Sequence, residues 1–385
     1  MNLERLTEIF LDKIKEDEEH YSIHACRDSQ ATRLLTEPDQ SVRSEFARDR
    51  DAILYSGAYR RYQGKTQVFS FTNQIDEEMT NRGLHTTYVA QISRTIGKFL
   101  GLNLELIEAI ALGHDLGHTP FGHDGEMALS KCCRDHGIGY FHHNIQSLRM
   151  VDIISRNGRG LNLSFQVRDG IISHDGEVHN TILKPDWKKT EADIAEYILH
   201  KKNGANVKWM PVTMEGCVVR ISDTIAYIGQ DIEDAIRLDI LKRDELPENC
   251  VSYLGNRNST IIDTLVKSVI VNSLGNDYIA FDEETSFYLL ELKKFNYARI
   301  YTNESVKKAK EVIGKSMTLL FEEYLKDIVN ERKESKIFRH FINHKSDSYC
   351  KSYSAKEKVR DFLSTMTDRY FNEEVKRYFL PASNI

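Results

Sequence analysis

Between Ala111 and Glu126 the chain reads ALGHDLGHTPFGHDGE, which puts three histidines, two aspartates and one glutamate into sixteen residues. Imidazole and carboxylate groups bind divalent ions and move protons near neutral pH, so this stretch has the side chains for metal chemistry, acid-base chemistry or both. An isolated His-Asp pair such as His114-Asp115 is ordinarily solvated or caps a helix. Here a glycine-rich turn follows with His118, His123 and Glu126, and nine of the chain's fourteen histidines fall between His85 and His179.

Other segments carry residues able to join this stretch. In NRGLHTTYVAQISRTIGKFLG, His85 shares an apolar stripe with Val89, Ile92, Ile96 and Phe99. A histidine there is ordinarily a core residue and counts as a ligand only with partners. Arg82, one turn earlier, points in a similar direction and suits an anion. In VVRISDTIAYIGQDIEDAIR, Asp223, Tyr227 and Asp231 recur at i, i+4 and i+8, opposite a stripe of isoleucines. A solvated acidic face is the plain reading, but the helix is too apolar to lie at the periphery. Arg60, Arg61, Gln63 and Lys65 suit a wall gripping phosphate or sugar. His143 in YFHHNIQSLR suits support from behind the site, and His174-Asp175, a second His-Asp pair, suits lining it.

The elements that must position these residues are helices. Leu106, Ile107, Ile110 and Ala111 recur at helical spacing, which predicts that His114 and Asp115 occupy the last turns of a helix ended by Gly117 and Pro120. Gly101 closes the helix that carries His85. Strand-like alternation is confined to Thr66–Phe71 and Leu161–Val167. From Leu254 onward the pattern is strongly helical, and Lys307, Lys308, Lys310 and Lys315 form a solvated basic face or reach the site.

Composition narrows the class. The 385 residues are 41% hydrophobic and 29% charged, enough for a large core, and six prolines with no low-complexity tract mark no flexible linker. A net charge of −6 gives no global basic field for nucleic acid. No run approaches a membrane span, the charged N-terminal stretch lacks the apolar core of a signal peptide, and six cysteines without C-x-x-C spacing fit reduced thiols, so a cytoplasmic protein is expected.

Taken together, His85, His114-Asp115 and Asp223 spell an order of His, His-Asp, Asp. With RDRDAILYSGAYRRYQGKTQVF, GHDLGHTPFGHDGE, FHHNIQSLR, ISDTIAYIGQDIEDA and MTDRYF, the sequence resembles the HD-domain superfamily of metal-dependent phosphohydrolases. Within it, the likeness is to the bacterial deoxyguanosine triphosphate triphosphohydrolase family. The resemblance implies an all-α fold, an HD-domain helical core with appended C-terminal helices and at most a few short strands. It divides as residues 1–80, a helical segment contributing to the active-site wall; 81–245, the catalytic core; and 246–385, a C-terminal helical region.

The resemblance further implies that His85, His114, Asp115 and Asp223 hold one divalent ion, Mn²⁺ or Mg²⁺ foremost and Fe²⁺ as a further option. Two imidazoles and two carboxylates agree with an octahedral site that keeps open positions. His123 and Glu126 correspond to the catalytic pair, Gln63, Tyr227 and Asp231 to residues that read the deoxyribose, and His118 and Arg82 to residues at the phosphates. Some relatives carry a basic residue where this chain has Thr224, so Arg60, Arg61 or a C-terminal lysine is expected to take that part. The implied reaction is hydrolysis of a deoxynucleoside triphosphate at the α-phosphorus to deoxynucleoside and inorganic triphosphate, with His123 either protonating the 5′-oxygen or activating water. The resemblance also implies a homo-oligomer, a hexamer being one arrangement, and allows a regulatory nucleotide or single-stranded nucleic acid as a further ligand. The competing readings are an HD-type nucleotidase or phosphodiesterase, and a nucleotide-binding regulator that does not hydrolyse.

Overall fold

Two asparagines set the frame around the motif. The Asn81 side chain accepts from Leu84 N, and that of Asn103 accepts from Glu105 N and Leu106 N, so each caps a helix start. Between them Gly101, at φ 66°, ends the first helix in the left-handed conformation that side chains resist.

The computed structural model describes residues 3–36, 42–69, 78–174 and 182–379. Its main helices are α1 (Leu3–Glu18), α2 (Glu45–Leu54), α3 (Arg82–Leu100), α4 (Leu104–Gly113), α5 (Gly122–Asp135), α6 (His143–Arg149) and α7 (Phe165–Ser173). The second half supplies α8 (Met214–Arg237), α9 (Asn258–Ser273), α10 (Glu283–Asn296), α11 (Glu304–Val329), α12 (Ala355–Ser364) and α13 (Asp368–Phe379). The fold is all-α. Among the described residues, the strands are the antiparallel pair Ile182–Leu183 and Ile279–Ala280, in register Ile182↔Ala280.

The central helix is α8, which packs on α3, α4, α7, α9 and α10. Ile221, Ile225, Ile228 and Ile232 are all buried along it, each contributing roughly 1.5–3 kcal/mol. Its acidic stripe is turned inward too, as Asp223 meets His85 of α3. Elsewhere α2 packs on α4, and α11 packs on α5 and α12. Buried apolar side chains from Ala25 to Phe371 form one continuous core.

The motif turn is bound to both ends of the chain by buried polar contacts. The Lys65 ammonium donates to the carbonyls of His118 and, at 2.8 Å, Ser364. Asp368, opening α13, accepts from Thr66 N and from Phe121 N, each at 2.9 Å. Phe121 needs such an anchor, because it holds φ 62° without being glycine.

Both strand expectations need correction. Thr66 forms a single antiparallel bridge with Asn81, and Phe71 lies outside the described residues. In Leu161–Val167, Ser164 precedes helix α7 and Phe165 begins it. The alternation misled because Leu161, Leu163, Phe165 and Val167 all enter the core from a segment that has no sheet neighbour.

Glu215 of α8 ties the N-terminal segment to the α3–α4 turn, accepting from Cys26 N at 2.9 Å and Asn103 N at 3.1 Å. Its second oxygen is buried without a partner, and burial pushes the carboxyl from about 4.5 up to about 7. A folded-state value above the unfolded one means that the stability this carboxyl contributes is fully present below about pH 4.5 and is lost as pH rises through about 7. Glu215→Gln should therefore raise stability at pH 8 by about 1–3 kcal/mol and have little effect at pH 4.5, as read from denaturant melts at the two pH values.

Candidate active site

The His-Asp pair is delivered by the abrupt end of α4. The helix stops at Gly113 and residues 114–117 form a turn, so the pair lies one step beyond the helix rather than in its last turns. Gly117 makes this possible. A Cβ there would sit 2.1 Å from Ser147 N and 2.3 Å from the His143 carbonyl, so only glycine lets α6 run against the turn.

His114 is fully buried, and its Nδ1 donates to the Ala111 carbonyl at 2.7 Å. That bond leaves Nε2 as the lone-pair nitrogen, and Nε2 is buried with no hydrogen-bond partner. Around it, Asp115 Oδ2 lies at 3.5 Å and Asp223 Oδ1 at 3.9 Å, while His85 Nε2 is 2.9 Å from Asp223 Oδ1. Ligand atoms of His85, His114 and Asp115 fall within 4.8 Å of one another. A buried imidazole lone pair facing carboxylates is what a divalent ion satisfies, so this donor set fits one.

Charge at the site is shaped by the same contacts. Burial opposes ionisation of Asp115, but His114, His118 and Arg82 outweigh it and hold its carboxyl well below the usual carboxylate range. Burial likewise opposes ionisation of Asp223, and the bond to His85 together with His114 brings it down to about 2. Burial lowers His114 and His118, favouring neutral, ligand-competent rings.

Arg82 is buried with its guanidinium paired to Asp115 Oδ2, and His118 Nε2 lies 3.2 Å from Asp115 Oδ1. The two residues assigned to phosphates thus meet at one carboxylate. His123 stands at the rim, its side chain 57% exposed, with Nδ1 3.2 Å from Glu126 Oε2 at i,i+3 on α5. Glu126 also accepts from His143 Nδ1 at 2.9 Å and His143 N at 2.7 Å. Burial opposes its ionisation, and His143 and His123 hold it well below the usual range.

On α8, Tyr227 is half-buried and Asp231 fully buried; burial pushes the Asp231 carboxyl up to about 7 although the Tyr301 hydroxyl donates to it. Gln63 lies against the start of α3, where a Cβ on Gly83 would stand 3.4 Å from its Cγ. Among the lysines, Lys293 stands 5.9 Å from the Tyr227 ring centre and Lys310 of α11 acts electrostatically on Asp124 beside His123. Lys315 instead pairs with exposed Glu311.

Three residues exceed what the sequence suggested. His174 and His143 are buried at the centre of the histidine cluster, their Nε2 atoms 3.0 Å apart, whereas the sequence assigned them supporting places. Asp175 lies outside the described residues. Tyr301 was not singled out by the sequence, where its segment reads only as part of a long helical run.

The fold and this cluster define the class. The chain matches the HD domain over residues 82–227 and the phosphohydrolase-associated domain over 279–377. It is 36% identical over 350 residues to the deoxyguanosinetriphosphate triphosphohydrolase-like protein of Caldanaerobacter subterraneus subsp. tengcongensis, covering 91% of this chain and 89% of the relative. Proteins of the same description from Clostridium perfringens and Rickettsia prowazekii are 36% and 31% identical, covering 90% and 91% of this chain and 90% and 96% of theirs. The chain belongs to this deoxyguanosinetriphosphate triphosphohydrolase-like family of HD-domain phosphohydrolases, and the HD domain implies a divalent metal.

Removing one donor tests the donor set. Asp115→Ala and His85→Ala should each abolish stoichiometric metal binding, measured by elemental analysis of folded protein. Full occupancy in both would remove these residues from the ligand set.

Proposed function

We propose that the protein hydrolyses deoxynucleoside triphosphates to deoxynucleoside and inorganic triphosphate. The observation that carries this reading is the partnerless, buried Nε2 of His114, ringed by His85, Asp115 and Asp223, beside the His123–Glu126 pair. The relatives, described as deoxyguanosinetriphosphate triphosphohydrolase-like, point the same way.

In this reading His85, His114, Asp115 and Asp223 hold the divalent ion. When bound, such an ion withdraws charge from a phosphoryl oxygen and lowers the pKa of coordinated water. The remaining work falls to the chain. Glu126 accepts from His123 Nδ1, which orients the ring so that Nε2 exchanges a proton with the reacting groups. That proton goes to the leaving 5′-oxygen or comes from the attacking water. Arg82 and His118 grip phosphate oxygens, with Lys310 or Lys293 supplying the charge that Thr224 does not. Asp231, whose carboxyl holds its proton up to about pH 7, can both donate to and accept from a sugar hydroxyl, with Gln63 and Tyr227 completing the wall.

Product analysis separates the reactions. Incubation of each of the four common deoxynucleoside triphosphates with Mn²⁺ or Mg²⁺ should release inorganic triphosphate; orthophosphate instead would point to a nucleotidase, and no turnover by metal-loaded protein to a binding-only regulator. His123→Ala should keep its metal while kcat falls by about 10²–10⁴, and Glu126→Gln should lose less. Unchanged turnover per folded His123→Ala molecule would make His123 structural. Tyr227→Ala should raise the relative kcat/KM for ribonucleotides, and unchanged discrimination would place Tyr227 outside the pocket.

A further inference from the structure

A carboxylate from the far end of the chain grips the backbone of two segments that meet at the site. Asp368 is buried at the start of α13. Its Oδ1 accepts from Phe121 N and its Oδ2 from Thr66 N, each at 2.9 Å, and the Thr66 hydroxyl also donates to Oδ2. Both oxygens are thus committed to fixing main chain, one on each side.

On the first side lies the approach to His123. Phe121 and Gly122 are consecutive left-handed residues, at φ 62° and 53°, and His123 follows directly. No side-chain cap supports the start of α5 at Phe121, so the bond to Asp368 does that work. A Cβ on Gly122 would stand 3.0 Å from the Arg82 guanidinium, which shows how closely this turn runs against Arg82. On the second side lies the start of α3. Thr66 bridges Asn81, and Arg82 N donates to the Lys65 carbonyl at 3.0 Å, so the segment held by Oδ2 is the one on which Arg82 is seated. The packing is tight there. A Cβ on Gly64 would lie 2.7 Å from Thr367 Cγ2, beside Asp368.

We propose that Asp368 is a positioning residue that sets the separation between Arg82 and His123, and so between the grip on phosphate and the group that moves the proton. A misplacement of about 1 Å at a reacting group can cost about 10²-fold in rate, so an anchor two residues from His123 has kinetic weight without touching the substrate. The competing role is that of a fold anchor alone, whose loss lowers stability and nothing specific to His123.

This inference rests on the reading of His123 as the proton-transfer group, and a double-mutant cycle separates the two. Asp368→Asn turns an NH₂ against one of the two amides, and Asp368→Glu keeps the charge but moves it by one methylene. In full-length, metal-loaded protein, each should lower kcat for triphosphate release by about 10–100-fold. In a His123→Ala background each should cost less than about threefold, because the group they misplace is already absent. Equal losses in both backgrounds, or no loss in either, would overturn the positioning role and leave His123 as assigned. Wild-type turnover by His123→Ala itself would overturn both. Because a chain that loses a buried carboxylate can unfold, Thr66→Val, which removes only the hydroxyl bond to Oδ2, serves as the milder variant, with an expected His123-dependent loss of about two- to tenfold. A readout free of turnover comes from histidine-labelled, Mg²⁺-loaded protein: the His123 ring resonances, identified by their absence in His123→Ala, should shift in Asp368→Asn and in Thr66→Val. Unmoved resonances would overturn the proposal.

Discussion

One buried carboxylate holds the site together. Asp115 is approached by Arg82 and His114 on one oxygen and by His118 and His174 on the other, so a single group orients two histidines of its own turn together with side chains from α3 and the end of α7. A buried anion is stable only when its partners offset the loss of water, and removal of one member leaves the others with unmatched charge. The cluster is therefore cooperative. Its geometry depends on α3, the turn after α4, α6 and α7 all being correctly placed, and it transmits any error in one of them to the rest.

That placement relies on backbone features remote from the chemistry. Gly117 allows α6 to touch the turn, and Ser147 of α6 accepts from Gly117 N at 2.8 Å, bringing His143 beside His118 as a stacked ring 4.0 Å away. The Phe121 backbone, strained at φ 62°, swings the chain into α5 and sends His123 to the rim. Its amide is held by Asp368, from nearly 250 residues further on. Local strain at the motif is thus offset by long-range hydrogen bonds as well as by local ones such as that from the Thr119 hydroxyl to the Gly122 carbonyl.

This division explains what could be read from the sequence. The HD motif, the i, i+4, i+8 stripe of α8 and the apolar periodicity of α3 and α4 are local patterns; they predicted helices, and the resemblance they carry implied the all-α fold and the grouping of His85, His114, Asp115 and Asp223. The i,i+3 relation of His123 and Glu126 is also local, and it holds on α5. Asp368, Tyr301 and the His143–His174 contact are not local. Each depends on where a distant helix lands, and no periodicity encodes that. His174 was further obscured because its dipeptide with Asp175 lacks the glycine-histidine turn that singled out the first pair. The strand patterns failed for a related reason: the sequence alternates, but from Leu163 to Val167 every residue is buried in a packed core with no neighbouring strand.

Electrostatics sets a last constraint on how such a site can work. Asp115 and Glu126 are held well below the usual carboxylate range and Asp223 at about 2, so all three are ionised at neutral pH, and the paired cation among them is Arg82. Those carboxylates gather negative charge in a low-dielectric interior, where burial disfavours charge on His114 and His118. A polyphosphate would be repelled from such a pocket. A divalent ion offsets that charge, after which Arg82 and the lysines of α10 and α11 decide how strongly a polyanion is held. Asp115 and Asp223 therefore act through the positive charge they gather, while Glu126 orients His123 and His143; a depressed carboxyl pKa and a neutral histidine each keep a ligand in the form a cation requires.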